Sequence, residues 1–210
     1  MNIRRVSAFV LLCMLLLAVF GTPDAARSNE PAEGTSAKQG TKPLTVMARD
    51  LTLEGFAPYG SFVNILNPPA GAPRIGLGPI EFFPDMIQAH FGTSTTVSFS
   101  LCRDRKRPLV IDALECHSRT CECMMPLDGD MLLQVAPAAP RGEVPLDKIE
   151  VFRVPKGTLV VMRPGTWHHG PFAVDSDIVN ILVVLPERTY ANDSEVYEIP
   201  EQQRIIIALE

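Results

Sequence analysis

From Leu44 onward, every apolar run in this chain is cut short by a turn residue before it reaches the length of a packed helix. The breaks fall at Asn67-Pro68-Pro69, Asp128-Gly129, Pro137 to Pro145, Pro155-Lys156-Gly157 and Pro164-Gly165. Proline fixes φ and removes a backbone donor, and glycine opens turns closed to other residues. The 19 prolines and 14 glycines therefore favour short strands. The pattern predicts strands over Phe62 to Leu66, Thr95 to Cys102, Leu109 to Leu114, Cys121 to Met125, Met131 to Ala136, Ile149 to Arg153, Thr158 to Met162 and Ile178 to Leu185. A helix is weakly indicated at Pro84 to His90, and none is convincing elsewhere. Many short strands with polar turns point to an all-β sandwich or barrel, of which the cupin-like jelly roll is the antiparallel case of this size.

The first residues follow a different rule. Arg4 and Arg5 precede an apolar run from Val6 to Gly21, and small or polar residues follow from Thr22 to Ala26. This is the plan of a secretory signal peptide, so residues 1–26 are expected to direct the protein to a secreted or periplasmic location. Membrane contact is expected only if that segment stays uncleaved. Residues 27–43 are rich in small, polar and charged residues and read as a flexible linker, leaving 44–210 as one domain. Losing Arg4, Arg5 and Asp24 on cleavage takes the formal net charge from −5 to −6. An acidic product of this kind is a poor partner for nucleic acid or anionic membrane. The basic run Arg103 to Arg107 reads as a solvated turn.

Two segments carry chemistry. In the first, Glu115-Cys116-His117 is followed by Glu122 and then Gly129. In the second, an apolar strand ends in Pro164-Gly165 and leads into Trp167-His168-His169. Glu115 and His117 are two apart and share one face of a strand. Carboxylates and imidazoles from Glu115, His117, Glu122 and His168 would form a mixed nitrogen and oxygen site. Nickel, manganese, iron or zinc would each suit it, and spacing does not choose among them. The bland alternative is that His117 and His168 are hydrogen-bonded core histidines. Cys102, Cys116, Cys121 and Cys123 read as buried thiols or one disulfide first, with a thiolate zinc site a distant second.

The spacing of both segments is similar to the two cupin motifs, with Glu115 standing where the first histidine would be. More specifically, ECHSRTCECMMPLDGDMLLQVAP with GTWHHGPF resembles the ureidoglycolate lyase family, and the likeness runs from GFAPYGSFV at Gly55 to the tail EVYEIPEQQRIII. The resemblance implies a cupin-type fold and cleavage of ureidoglycolate, or a related small 2-hydroxy acid amide, into glyoxylate and urea. It also implies a homodimer, a small-molecule carboxylate substrate and a divalent metal, nickel in the family. Carried onto this chain, the resemblance covers Glu115, His117, Trp167, His168 and His169. With Glu122 from the spacing, the expected metal ligands are Glu115, His117, Glu122 and His168, and His169, with His168, is the acid–base pair. Trp167 and Arg163 are then the substrate-binding residues.

The chain also departs from that family. Phe82-Phe83-Pro84-Asp85 stands where members carry an Arg-Tyr-His-Asp-like cluster, Arg163 is one place off, and Gly170 separates His169 from Pro171. An apolar pocket does not replace lost polar contacts. The competing expectation is therefore an exported, non-catalytic cupin domain that binds a small carboxylate.

Overall fold

The computed structural model describes residues 43–76 and 78–209; the expected export segment 1–26, and all but the last residue of the 27–43 linker, lie outside them. In chain order the elements are β1 (Thr45–Asp50), α1 (Leu53–Phe56), β2 (Gly60–Asn64), β3 (Val97–Arg105), β4 (Val110–Ile111), β5 (Ala113–Cys116), β6 (Glu122–Pro126) and β7 (Met131–Ala136). They continue with β8 (Glu150–Val154), β9 (Thr158–Met162), β10 (Trp167–His168), β11 (Phe172–Ala173), β12 (Ile178–Pro186), α2 (Thr189–Asn192), β13 (Glu195–Glu198) and β14 (Ile205–Ala208). Among the described residues no helix is long and apolar enough to cross a membrane.

Two sheets result. The larger runs β13-β5-β10-β7-β8-β1-β14-β4 with β11 also on β7, and the smaller runs β2-β9-β6-β12-β3. Pairing is antiparallel except at β1, which lies parallel to both β8 and β14. Side-chain alternation on β7 explains the layering, because every one of its residues is buried. Met131, Leu133 and Val135 join Met124, Phe152, Met162 and Ile181 between the two sheets. Leu132 and Ala136 face the other way, into a second core with Ile111, Leu114, Trp167, Phe172 and Ile205. The protein is thus mostly β, with sheets curled into half-barrels, as the turn pattern led one to expect.

The structure corrects the sequence reading at three places. Pro84 to His90 is not helical: Asp85 takes a positive φ of 53°, and the segment lies as loop over the outside of the small sheet, where Ile87 packs by Cys121 and Cys123. The expected strand Leu109 to Leu114 is two strands, β4 and β5, divided at Asp112. The basic run is not simply a turn, because β3 continues through Arg105. Its alternation places Arg103 opposite Asn180 of β12, and the guanidinium donates to the Asn180 side chain at 2.7 Å. Asp104 faces inward and pairs with Arg107 at 3.2 Å.

Candidate metal centre

Strand β10 is two residues long and serves two cores. Trp167 points into the second core, and His168 points between the sheets. The Pro164-Gly165 turn fixes this entry. Gly165 has φ +86°, a backbone state that side chains disfavour, and its N–H donates to the His117 carbonyl at 2.7 Å. One turn therefore ties the two chemical segments together. In β10, His168 lies directly across from Glu115 of β5. Glu122 opens β6 in the facing sheet and shares its inward face with Met124.

The histidines are held from behind. His117 Nδ1 lies 2.6 Å from the Asp193 carbonyl, and His168 Nδ1 lies 2.9 Å from the Thr166 carbonyl. A carbonyl only accepts, so each Nδ1 carries a proton and each Nε2 is turned inward. Both Nε2 atoms meet one oxygen of Glu122, Oε2, at 2.8 Å from His168 and 3.0 Å from His117. The His168 contact has hydrogen-bond geometry; His117 Nε2 has the distance but not the angle, and is a buried atom without a hydrogen bond. Glu122 Oε1 is likewise buried and unpartnered. Glu115, His117 and His168 each bring a ligand atom within 4.8 Å of the others.

Burial resists charge on all three buried groups, and their mutual attraction overcomes it. The two imidazoles hold the Glu122 carboxyl down to about 2, although desolvation pushes the other way. His117 and His168 are both raised: burial lowers each, and the Glu122 carboxylate outweighs it. The protein has built an anionic cradle with two inward nitrogens and two orphaned buried atoms. Such atoms are costly to leave unpaired, and a divalent cation satisfies them, so the residues present fit a metal ion. The carbonyls behind each imidazole are the outer support that a metal-bound histidine requires.

The remaining expected site residues fall elsewhere. Trp167 is buried, and its outer edge lines a cavity of about 440 Å³ with Arg119, Arg141 and Asp193, across β10 from His168. Arg163 is exposed and lines a separate cavity of about 230 Å³ with Gln88, His90 and Cys121. His169 follows β10 and is half-buried. The cysteines at 102, 116, 121 and 123 are free thiols, and none is a member of the metal-capable group among the described residues. Burial is the main force pushing Cys102 and Cys116 up to about 11. Sequence reasoning missed Asp193, which holds the His117 loop: its carboxylate accepts from the Ser118 and Arg119 N–H groups and the Ser118 hydroxyl. It also missed Tyr190, whose ring meets His117 edge-on with centroids 5.8 Å apart. No residue type or spacing near 190 marks either one.

Comparison with known proteins now bears on this geometry. The model of the family described as ureidoglycolate lyase matches residues 43–207, which is most of the chain and all of the site. The chain belongs to the ureidoglycolate lyase family. A ureidoglycolate lyase of Rhodobacter capsulatus is 30% identical over 125 residues, covering 59% of this chain and 75% of the relative. Among solved structures, a dTDP sugar isomerase from Desulfovibrio desulfuricans G20 aligns at TM-score 0.37 and 14% identity, over 61% of this chain and 80% of that one. RmlC from Streptococcus suis, in complex with dTDP-D-xylose, aligns at TM-score 0.30 and 16% identity, and this chain spans 44% of its length. The family match and the two-sheet architecture agree with the cupin-like expectation. The Phe82 departure is visible as well: Phe82 pairs with Ile75 in a small exposed hairpin.

Proposed function

We propose that this protein is a metal-dependent lyase that splits ureidoglycolate, or a closely related small 2-hydroxy acid amide, into glyoxylate and urea. The observation that carries the reading is the convergence of Glu115, His117 and His168 around orphaned buried atoms, inside a family match that spans the domain. Glu115, His117, Glu122 and His168 would hold the ion, and nickel, manganese, iron and zinc all suit such donors. When bound, a divalent ion supplies positive charge for the substrate's oxygens.

The reaction needs one proton to leave the hydroxyl on the carbon bearing urea. The C–O bond becomes a carbonyl, the carbon–nitrogen bond breaks, and the urea nitrogen takes a proton. His169 lies outside the ligand set and keeps its imidazole free for that transfer, a role worth about 10²–10⁴ in rate. His117 and His168 are fixed by backbone carbonyls and serve to bind rather than to shuttle protons. Trp167 contributes through packing that seats His168, because its indole occupies the second core. Arg163 lies at a different cavity, so the role we give it is limited to attracting an anionic substrate from solution. The reading also places the protein outside the cytoplasm, as the plan of residues 1–26 suggests, and as a homodimer.

The deciding experiment measures metal content and urea release on one preparation of the full chain. Near one equivalent of metal with urea release supports the lyase, and His168→Ala then loses both; His169→Ala keeps the metal and loses most of the rate. Bound metal without urea release overturns it. That second outcome favours a non-catalytic carboxylate-binding domain, the reading to which the apolar Phe82 hairpin points.

A further inference from the structure

A small acid entering this centre meets an electrostatic problem. Two of its walls are the Glu115 and Glu122 side chains, which only accept hydrogen bonds when ionised; His168 Nε2 is committed to Glu122 by a hydrogen bond, and His117 Nε2 lies 3.0 Å from the same oxygen without one. Arg163 is not at the site. Beyond the charge that a bound ion would supply, a carboxylate-bearing ligand therefore takes any hydrogen bond from a donor on another element. Tyr190 of α2 is the phenol in contact with the group, edge-on to His117 at an interplanar angle of 82°. It is 61% exposed, whereas His117 beneath it is 2% exposed, so it covers the centre from the solvent side.

The backbone around Tyr190 is built to hold it there. Arg188, just before α2, adopts φ +58°, a left-handed state that bulky residues avoid. Thr189 Oγ1 donates to the Pro186 carbonyl at 2.8 Å, and Asp193 N–H closes the turn on Thr189 at 2.8 Å. The same turn ends in the carbonyl that fixes His117. A metal-facing histidine and an exposed phenol are thus set by one five-residue segment.

We propose that Tyr190 is a specificity-determining residue of this centre: its phenol O–H donates to the carboxylate of a small 2-hydroxy or 2-oxo acid while its ring closes the entrance. The inference rests on the lyase reading for the class of ligand. A hydrogen bond made equally in the ground state and the transition state raises KM when lost and leaves kcat alone.

The test compares the full chain with Tyr190→Phe and Tyr190→Ala, using Co²⁺ binding, glyoxylate binding to the Co²⁺-loaded protein by calorimetry, and ureidoglycolate kinetics. Co²⁺ affinity should stay within about twofold in both variants, a control that a merely structural role would fail. Glyoxylate affinity should weaken about tenfold in Tyr190→Phe, with KM rising alike and kcat nearly unchanged. Unchanged glyoxylate affinity in Tyr190→Phe overturns the proposal and leaves the lyase reading standing. Weakened glyoxylate binding in a protein that releases no urea supports Tyr190 and overturns the lyase. A wild-type protein that binds Co²⁺ but no glyoxylate overturns both.

Discussion

At the scale of single residues, the site depends on a side chain that touches no candidate ligand. Asp193 is buried, and its carboxylate receives three hydrogen bonds from Ser118 and Arg119, holding the loop that carries His117. Burial pushes its carboxyl up, but the donors outweigh that and hold it below the ordinary carboxylate value. A depressed folded pKa contributes stability above the unfolded value near 4, and that contribution is lost as pH falls through the lower, folded value. Asp193→Asn should therefore be less stable than wild type by about 1–2 kcal/mol at pH 7. The gap should close as thermal melts are taken from pH 5 down to pH 3. A gap of constant size across that range would mean that the carboxylate charge is not its source. The residue scale is also where the sequence was least legible. Glu115, His117, Glu122 and His168 announce themselves by type and spacing, and the structure brings their side chains together. Trp167 beside His168 carries the same kind of signal, yet strand alternation turns it into a different core. Asp193 and Tyr190 act through a turn between strands, where no periodicity exists to be read.

At the scale of elements, legibility followed length. Met131 to Ala136 and Thr158 to Met162 were expected as strands and are strands over those same residues, because each is a full apolar run between turn signals. The strands β10 and β11 have two residues each, too few for any alternation to show. Ile205–Ala208 and Thr45–Asp50 were missed for a different reason: their parallel pairing is set by partners far away in the chain. Where the cores are concerned, one strand supplies a ring that several groups pack on. Phe152 of β8 meets Phe56 at 5.4 Å between centroids and Tyr59 at 6.0 Å, and Arg49 lies over its ring. Phe152→Ala should cost about 3–5 kcal/mol, read as a lower urea midpoint with little change in slope. A loss below 1 kcal/mol would show that the cluster between the sheets collapses to fill the gap.

At the scale of the whole molecule, the small sheet ends at β3, whose outer edge is unpaired among the described residues. Phe99 and Leu101 on that strand are 75% and 58% exposed, an apolar edge of the kind that proteins cover or pair. If the expected homodimer uses this edge, Phe99→Lys should halve the mass seen by light scattering while leaving Co²⁺ binding intact; an unchanged mass would place the contact elsewhere. The opposite margin of the fold has a consequence in time rather than in space. Ala48–Asp50 of β1 pair with β8, but Thr45 finds its partner only in Ile206 of β14, so a nascent domain on the ribosome holds the start of its first strand open while on the order of 160 further residues are made, a wait of ~10–30 s at ~5–20 residues per second. Throughout that interval the sheet stays unclosed at that margin, which leaves the Thr45 end of the domain exposed to proteases until the last strand arrives.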